Sequence, residues 1–273
     1  MKSTFNNMPK ISILCSAYNS EKYFSECIES VLRQTFIDFE FVICDDGSTD
    51  DTLKIAQSFD DKRITLIGDG KNRGQNTRLA QMMKMARGDY VGWIDADDMF
   101  DPQTLELTSF ILDHYPDYGV VYTDHYEMDK SGKVLSVGMR SKMPFSKDLL
   151  LRDFMTFHFR LFRQDLYGKI EPLCTEPHGA ADYELSIKFS EITNFMHLPQ
   201  PLYYYRIHPD SLSKQQGLAL DETVLQLYRE AIKRRKLPVT VKLYYENGKA
   251  RYKYAATEEF KEMVARKTTG SSK

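Results

Sequence analysis

The sequence predicts an α/β fold: a doubly wound, mostly parallel sheet with helices on both faces, followed by a smaller C-terminal appendage. Three observations predict it. Short apolar runs alternate with helix-period segments through the first hundred residues, the pattern of a parallel sheet. The runs are apolar throughout rather than alternating, as expected of strands covered on both faces. Three of the first four runs end in polar functional residues, and ligands of open parallel sheets bind beyond the carboxyl ends of the strands.

The elements follow in order. Residues 11–15 (Ile-Ser-Ile-Leu-Cys) read as a buried strand. Ser20 is the expected cap of a helix carrying Tyr23, Phe24, Cys27, Ile28, Val31 and Leu32 at helical spacing. Residues 39–44 form a second strand, and Asp50 or Asp51 opens a second helix reaching Phe59. Residues 64–67 form a third strand, followed by a Gly-rich loop and a helix over about 76–86. Residues 90–94 form a fourth strand, and Pro102 starts another helix. Beyond residue 118 the rhythm changes. Residues 120–123 are strand-like, and Asp129-Lys130-Ser131-Gly132 marks a hairpin turn between Tyr126 and Val137. The aromatic-rich stretch 154–162 is expected to run under the site, with core packing favoured over ligand stacking for Phe154, Phe157, His158 and Phe159. A helix over 180–189, a strand over 202–207 and an amphipathic helix over 218–235 follow. Asn247-Gly248 then joins either a hairpin or two strand-like pieces, and residues 268–273 form a tail.

Composition narrows the function. The chain has 273 residues, enough for one large α/β domain with a small addition. A net charge of −2 gives no basis for a nucleic-acid partner. No apolar run approaches the length of a membrane span, and the first ten residues lack the apolar stretch of a secretory signal. The four cysteines, Cys15, Cys27, Cys44 and Cys174, are scattered with no C-x-x-C pair, which fits a reducing, cytoplasmic setting.

The polar strand ends carry the chemistry. The first strand ends in Ala17-Tyr18-Asn19, the second in Asp45-Asp46, and the fourth runs into Asp95, Asp97 and Asp98. Five carboxylates on one rim repel one another unless a cation is present. Carboxylates and water are hard oxygen ligands suited to Mg²⁺ or Mn²⁺, with substrate phosphates completing the shell. Asp50 and Asp51 read instead as helix caps. The run 68–74, G-x-G-x-x-x-G, has the wrong spacing and the wrong strand for a dinucleotide fingerprint, which excludes NAD.

These residues resemble the family 2 glycosyltransferases of GT-A fold over roughly residues 9–210. The matching pieces are Ser12 to Asn19, Ser30 to Thr35, Asp45 to Asp50, Asn72-Arg73-Gly74, Ala86 to Tyr90, and Asp95-Ala96-Asp97-Asp98 with Pro102. The resemblance implies that Ala17, Tyr18 and Asn19 line the nucleoside and that Asp45 or Asp46 bonds the base, often uracil. Asp95-x-Asp97 resembles the family's D-x-D motif, with Asp97 on the metal and Asp95 on the ribose or metal shell. Asp182, in Gly179-Ala180-Ala181-Asp182, resembles the general base, although Ala181 stands where the family usually has Glu. Arg206 and His208 resemble the late tyrosine-arginine-x-histidine segment. Their alternation puts them on one strand face, directed at the diphosphate, or His208 at the metal. The family's phosphate arginine would fall at Leu79, so the adjacent Arg78 is named in its place.

The expected organisation is a GT-A domain over 1–215, with a nucleotide-binding half at 9–118 and an acceptor half at 119–215, then an appendage over 216–273. The expected activity is inverting transfer of a sugar from a nucleotide diphosphate donor, such as a UDP-sugar, to a hydroxyl. The acceptor, whether saccharide, lipid-linked or protein, is not written in the sequence. Two other readings stay open: a sugar-nucleotide nucleotidyltransferase and a non-catalytic nucleotide-sugar-binding module. The first lacks the Gly-rich basic loop after its first strand, and only Ala181 favours the second. Lys233 to Lys236 end a helix, where they complement its dipole, with weak peripheral contact to the inner face of the membrane as the alternative.

Overall fold

The computed structural model describes residues 8–174, 180–211, 217–259 and 261. They fall into two compact units, one of residues 8–174 and 181–211, the other of residue 180 with 217–259 and 261.

The first unit is built on a sheet of nine strands among the described residues. Its parallel part comprises β1 (Ile11–Ala17), β2 (Phe39–Asp45), β3 (Ile64–Ile67) and β4 (Tyr90–Trp93), in the order β3-β2-β1-β4. The helices of this part are α1 (Phe24–Leu32), α2 (Thr52–Gln57) and α3 (Gln75–Met85). The register pairs Ala17 with Asp45 and Leu14 with Trp93, so the polar ends of these strands share one edge. The apolar runs are continuous because both faces are covered. Ile11, Ile13 and Cys15 pack with Phe24, Cys27, Ile28 and Val31 of α1. Leu14, Val42 and Val91 pack with Leu79, Met82 and Met83 of α3.

A short strand, β5 (Met99–Phe100), precedes α4 (Thr104–His114), which begins two residues after Pro102. The hairpin of β6 (Tyr118–Met128) and β7 (Val134–Val137) pairs Tyr126 with Val137, as the turn residues predict. The aromatic stretch ends in an unpredicted strand, β8 (Arg160–Arg163), which lies antiparallel between β4 and β6. Phe159, just before it, is fully buried in the core. After α5 (Ala181–Phe189), β9 (Asn194–Arg206) is much longer than its expected span of 202–207. It runs parallel to β6 and antiparallel to β5, and this pairing sustains it despite Pro199 and Pro201.

One capping expectation needs correction, and the choice left between Asp50 and Asp51 is decided. Ser20 does not cap α1: its hydroxyl donates to the Tyr18 carbonyl, and the helix starts at Phe24 without a side-chain cap. Asp50 rather than Asp51 serves α2, accepting from the Thr52 amide at 3.0 Å and its hydroxyl at 2.6 Å.

The second unit pairs α6 (Gly217–Arg234) with a hairpin of β10 (Val239–Glu246) and β11 (Lys249–Ala256). Asn247 and Gly248 both have positive φ, the two-residue turn that matches strand twist. Tyr228 of α6 packs 4.9 Å from the ring of Tyr252. No helix of the described residues is long and apolar enough to cross a membrane.

Beneath the sheet edge opposite the site, the Ser12 hydroxyl accepts from the Gly88 amide at 2.9 Å and donates to Glu40 at 2.6 Å. A Cβ on Gly88 would stand 2.6 Å from the Ser12 amide nitrogen, a backbone atom that cannot swing away. Gly88→Ala is therefore expected to destabilise the first unit by about 1–3 kcal/mol. Urea unfolding followed by the fluorescence of Trp93 measures this, and an unchanged midpoint would refute it.

Candidate functional site

At the carboxyl ends of β1 and β2 the chain builds an organised rim. Asn19, at φ 49°, accepts from the Thr49 amide at 2.8 Å, and its own amide donates to the Ser48 hydroxyl. These bonds hold the loop after β1 against the loop after β2. Asp46 is buried and faces inward. Its Oδ1 accepts from the Arg73 amide and Arg78 Nε, each at 2.7 Å, and its Oδ2 from the Gly74 amide at 2.9 Å. Arg78 is 1% exposed and also donates to Asp69, the Lys71 carbonyl and Gln81. Its guanidinium fastens the 69–74 loop to Asp46, a task the sequence did not suggest. Asp45 differs from Asp46: its Oδ2 accepts from the Ser48 amide at 3.3 Å, while its Oδ1 is buried with no hydrogen-bond partner. Ala17 is buried at the end of β1, and Tyr18 is exposed.

The turn after β4 gathers three aspartates. Asp97 meets His208 Nε2 at 2.8 Å, and its backbone carbonyl accepts from Arg206 Nε at 2.8 Å. Arg206 and His208 thus converge on one residue. However, β9 ends at Arg206, so His208 lies beyond the strand rather than on its face. The Arg206 guanidinium is itself buried, donating to Glu26 at 2.8 Å and lying over the Tyr23 ring. It clamps α1 to the aspartate turn. Asp98 is 1% exposed, and its oxygens accept from the Tyr203 hydroxyl and the Arg206 amide, each at 2.7 Å. Burial, then the charges of Asp97 and Asp95, push its carboxyl well above the usual range. Asp95 accepts from Gln75 at 3.1 Å. Desolvation, with the charges of Asp97 and Asp182 adding, pushes it up to about 7.

Asp182 is the second residue of α5. Its Oδ2 accepts from Arg160 Nη2 at 3.3 Å, and its Oδ1 from the Tyr183 amide at 2.8 Å. The field of Asp182 reaches Asp95, so two distant segments of chain meet here. Glu184, two residues further along α5, is buried and paired with Lys188 at 2.6 Å, which makes it structural. Arg160 was not picked out by sequence reasoning as a site residue, and His158 was read as core packing in preference to ligand stacking. Their alternation around Phe159, just ahead of a run that pairs as a strand, was the available signal. His158 is buried and stacked on the Tyr203 ring at 4.6 Å, and desolvation, then the Arg160 charge, press its imidazole well below the usual histidine range.

Among the described residues, Asp95, Asp98 and His158 bring one ligand atom each within 4.8 Å of one another. This is a different trio from the expected Asp95, Asp97 and His208. Asp98 already accepts bonds at both oxygens, whereas the side chains of Asp95 and Asp97 are 29% and 28% exposed. His208 keeps a buried Nδ1 without a hydrogen-bond partner. The partly open carboxylate oxygens of Asp95 and Asp97 are hard ligands that fit Mn²⁺ or Mg²⁺, and the His208 nitrogen beside them is Nε2.

A mostly parallel sheet with a D-x-D turn at its carboxyl edge defines a protein of GT-A type. Solved structures share the fold. TarS of S. aureus in complex with UDP-GlcNAc superposes with a TM-score of 0.68 at 23% identity, covering 82% of this chain and 66% of that one. The mannosyltransferase PcManGT from Pyrobaculum calidifontis, in complex with GDP-Man and Mn²⁺, gives 0.63 at 19% identity, covering 84% and 65%. The model of glycosyl transferase family 2 matches residues 12–171, and the chain belongs to that family. The chondroitin synthase of Escherichia coli is 32% identical over 237 residues, 85% of this chain and 34% of the relative. The chain therefore spans about a third of that relative's length.

The Asp46–Arg78 pair is the stability test of the rim. Arg78→Met should lower stability by about 3–5 kcal/mol, because Asp46 would be left buried beside two amides without its cation. A loss below about 1 kcal/mol in urea unfolding would mean that the loop amides alone suffice.

Proposed function

We propose that the chain is an inverting glycosyltransferase that moves a sugar from a nucleotide diphosphate donor to an acceptor hydroxyl. The observation that carries the proposal is the turn after β4: Asp95 and Asp97 stand partly open at the sheet's carboxyl edge, with His208 on Asp97 at 2.8 Å. A UDP-sugar is the donor class proposed, because a neighbour of the same fold is known in complex with UDP-GlcNAc.

Ala17, Tyr18 and Asn19 line the nucleoside in this reading. Asp45 bonds the base through its unpartnered Oδ1, since both oxygens of Asp46 already serve the loop. Arg78 acts on the nucleotide only through the loop it holds. Asp95, Asp97 and His208 would hold Mn²⁺ or Mg²⁺. When bound, such an ion offsets the charge of the departing diphosphate, on the order of several kcal/mol in the transition state. Arg206 keeps the aspartate turn in place beneath them. Asp182 takes the proton of the acceptor hydroxyl as it attacks the anomeric carbon. A base on the acceptor side with the diphosphate leaving opposite gives inversion in one displacement, without a covalent intermediate. The setting proposed is cytoplasmic, consistent with Cys15, Cys27 and Cys44 as buried free thiols, with weak peripheral contact at the inner face of the membrane.

UDP should bind at least tenfold more tightly with Mn²⁺ than with EDTA, and Asp97→Ala should remove that difference, on the order of what a lost charge-assisted contact implies. Calorimetry giving equal affinity in both buffers would sink the assignment.

Asp182→Asn should slow transfer by roughly 10²- to 10⁴-fold, the usual worth of a general base, while UDP affinity stays near wild type. Turnover and binding are measured on the same folded variant. Normal turnover would leave Asp182 as a helix-terminal residue only.

A further inference from the structure

We infer that Arg160 is a positioning residue, which fixes the carboxylate of Asp182 in the direction its proton transfer requires. The inference rests on the proposed role of Asp182 and extends it to a residue with no part in the family resemblance.

Arg160 starts β8, a strand held on both sides, by β4 and by β6. Its side chain is 3% exposed. The guanidinium lies 4.7 Å from the centroid of the Trp93 ring and 5.2 Å from that of Phe154. Nη1 donates to the Thr156 carbonyl, and Nη2 lies 3.3 Å from Asp182 Oδ2 and 3.4 Å from His158 Nδ1. Two rings, a carbonyl and an imidazole therefore fix the plane of the fork before Asp182 meets it. In the neutral tautomer protonated at Nε2, the His158 Nδ1 accepts from the guanidinium.

Stability alone does not explain this arrangement. A buried guanidinium is desolvated, and its Nε is buried with no hydrogen-bond partner. A residue chosen only for packing would leave no such orphan donor. The compensation comes from two carboxylates, Asp182 and Asp95, whose charges both act on Arg160. That cation offsets the repulsion between the Asp182 and Asp95 charges. With it, Asp182 Oδ2 is held by the Nη2 proton and Oδ1 by the Tyr183 amide. Each oxygen then has one lone pair tied down and the other left for an incoming hydroxyl. The side chain of Asp182 is 25% exposed, open enough for that approach.

Arginine suits this position better than lysine. Its planar fork stacks between rings and donates in fixed directions, whereas an ammonium is a rotating point charge.

The test is a double-mutant cycle on the full chain, assayed with a UDP-sugar under saturating Mn²⁺. Arg160→Met should lower kcat about 10²-fold, the scale of a misplaced reacting group, with UDP binding by calorimetry within a few-fold of wild type. In the Asp182→Asn background the same change should add little, because the group it positions is already lost. Arg160→Lys, which keeps the cation, guards against a misfolded methionine variant. It should fold, bind UDP normally and still lose several-fold in kcat. Wild-type kcat in Arg160→Lys would overturn the inference, as would losses that multiply fully in the double variant. The proposed role of Asp182 fails separately: if Asp182→Asn alone turns over normally, there is no base to position. If Asp182→Asn is slow while Arg160→Met and Arg160→Lys are not, the base stands and the inference about Arg160 falls.

Discussion

Six aspartates at the ends of two strands and the start of one helix must coexist at one edge of this sheet: Asp45, Asp46, Asp95, Asp97, Asp98 and Asp182. Mutual repulsion among desolvated carboxylates is the constraint on which the rest of the site depends. The fold answers it one carboxylate at a time. Asp46 has Arg78 and two loop amides. Asp98 has the Tyr203 hydroxyl and the Arg206 amide. Asp97 has His208, and Asp182 has Arg160. Among the described residues, Asp95 has only the side-chain amide of Gln75 as a close donor, and its carboxyl rises to about 7. Asp45 keeps one buried oxygen unpartnered. The groups left least satisfied are the ones the proposed function assigns to ligands.

The partners come from far along the chain, and this explains several features of the fold. The aspartate turn after β4 is held from β9 by Tyr203 and Arg206, more than a hundred residues later. Arg206 reaches on to Glu26 of α1. β8 enters the sheet beside β4 and so carries Arg160 and the preceding His158 up to the same turn. The antiparallel insertion that interrupts the parallel sheet is thus what delivers cation and imidazole to the carboxylates.

Much of this was legible in residue order. The strands β1 to β4 were visible because apolar runs covered on both faces leave no alternation to confuse them. The Asn247-Gly248 hairpin was visible because few residue pairs tolerate two positive φ values in succession. The D-x-D turn was visible because three aspartates directly after a buried strand have few structural uses. β8 was missed because four residues of mixed aromatic and basic character lack a period, and their strand state comes from pairing with β4 and β6. The capping role expected of Ser20 failed because its hydroxyl found a nearer carbonyl at Tyr18, a choice local geometry makes and residue type does not.

By itself the sequence determined the α/β class, the shared edge of its strand ends and the residues bearing negative charge there. These follow from hydrophobic period and from the position of polar groups relative to it. Tertiary structure alone decided which carboxylate meets which partner. It turned Asp46 inward to Arg78 and left one buried oxygen of Asp45 without a hydrogen-bond partner among the described residues. It placed one ligand atom each of Asp95, Asp98 and His158 within 4.8 Å of one another, and set Arg160 against Asp182. The physical reason is range. Burial and periodicity are encoded within a dozen neighbouring residues, whereas an ion pair depends on contacts between segments separated by tens to more than a hundred residues. Only the completed sheet brings those segments within hydrogen-bonding distance.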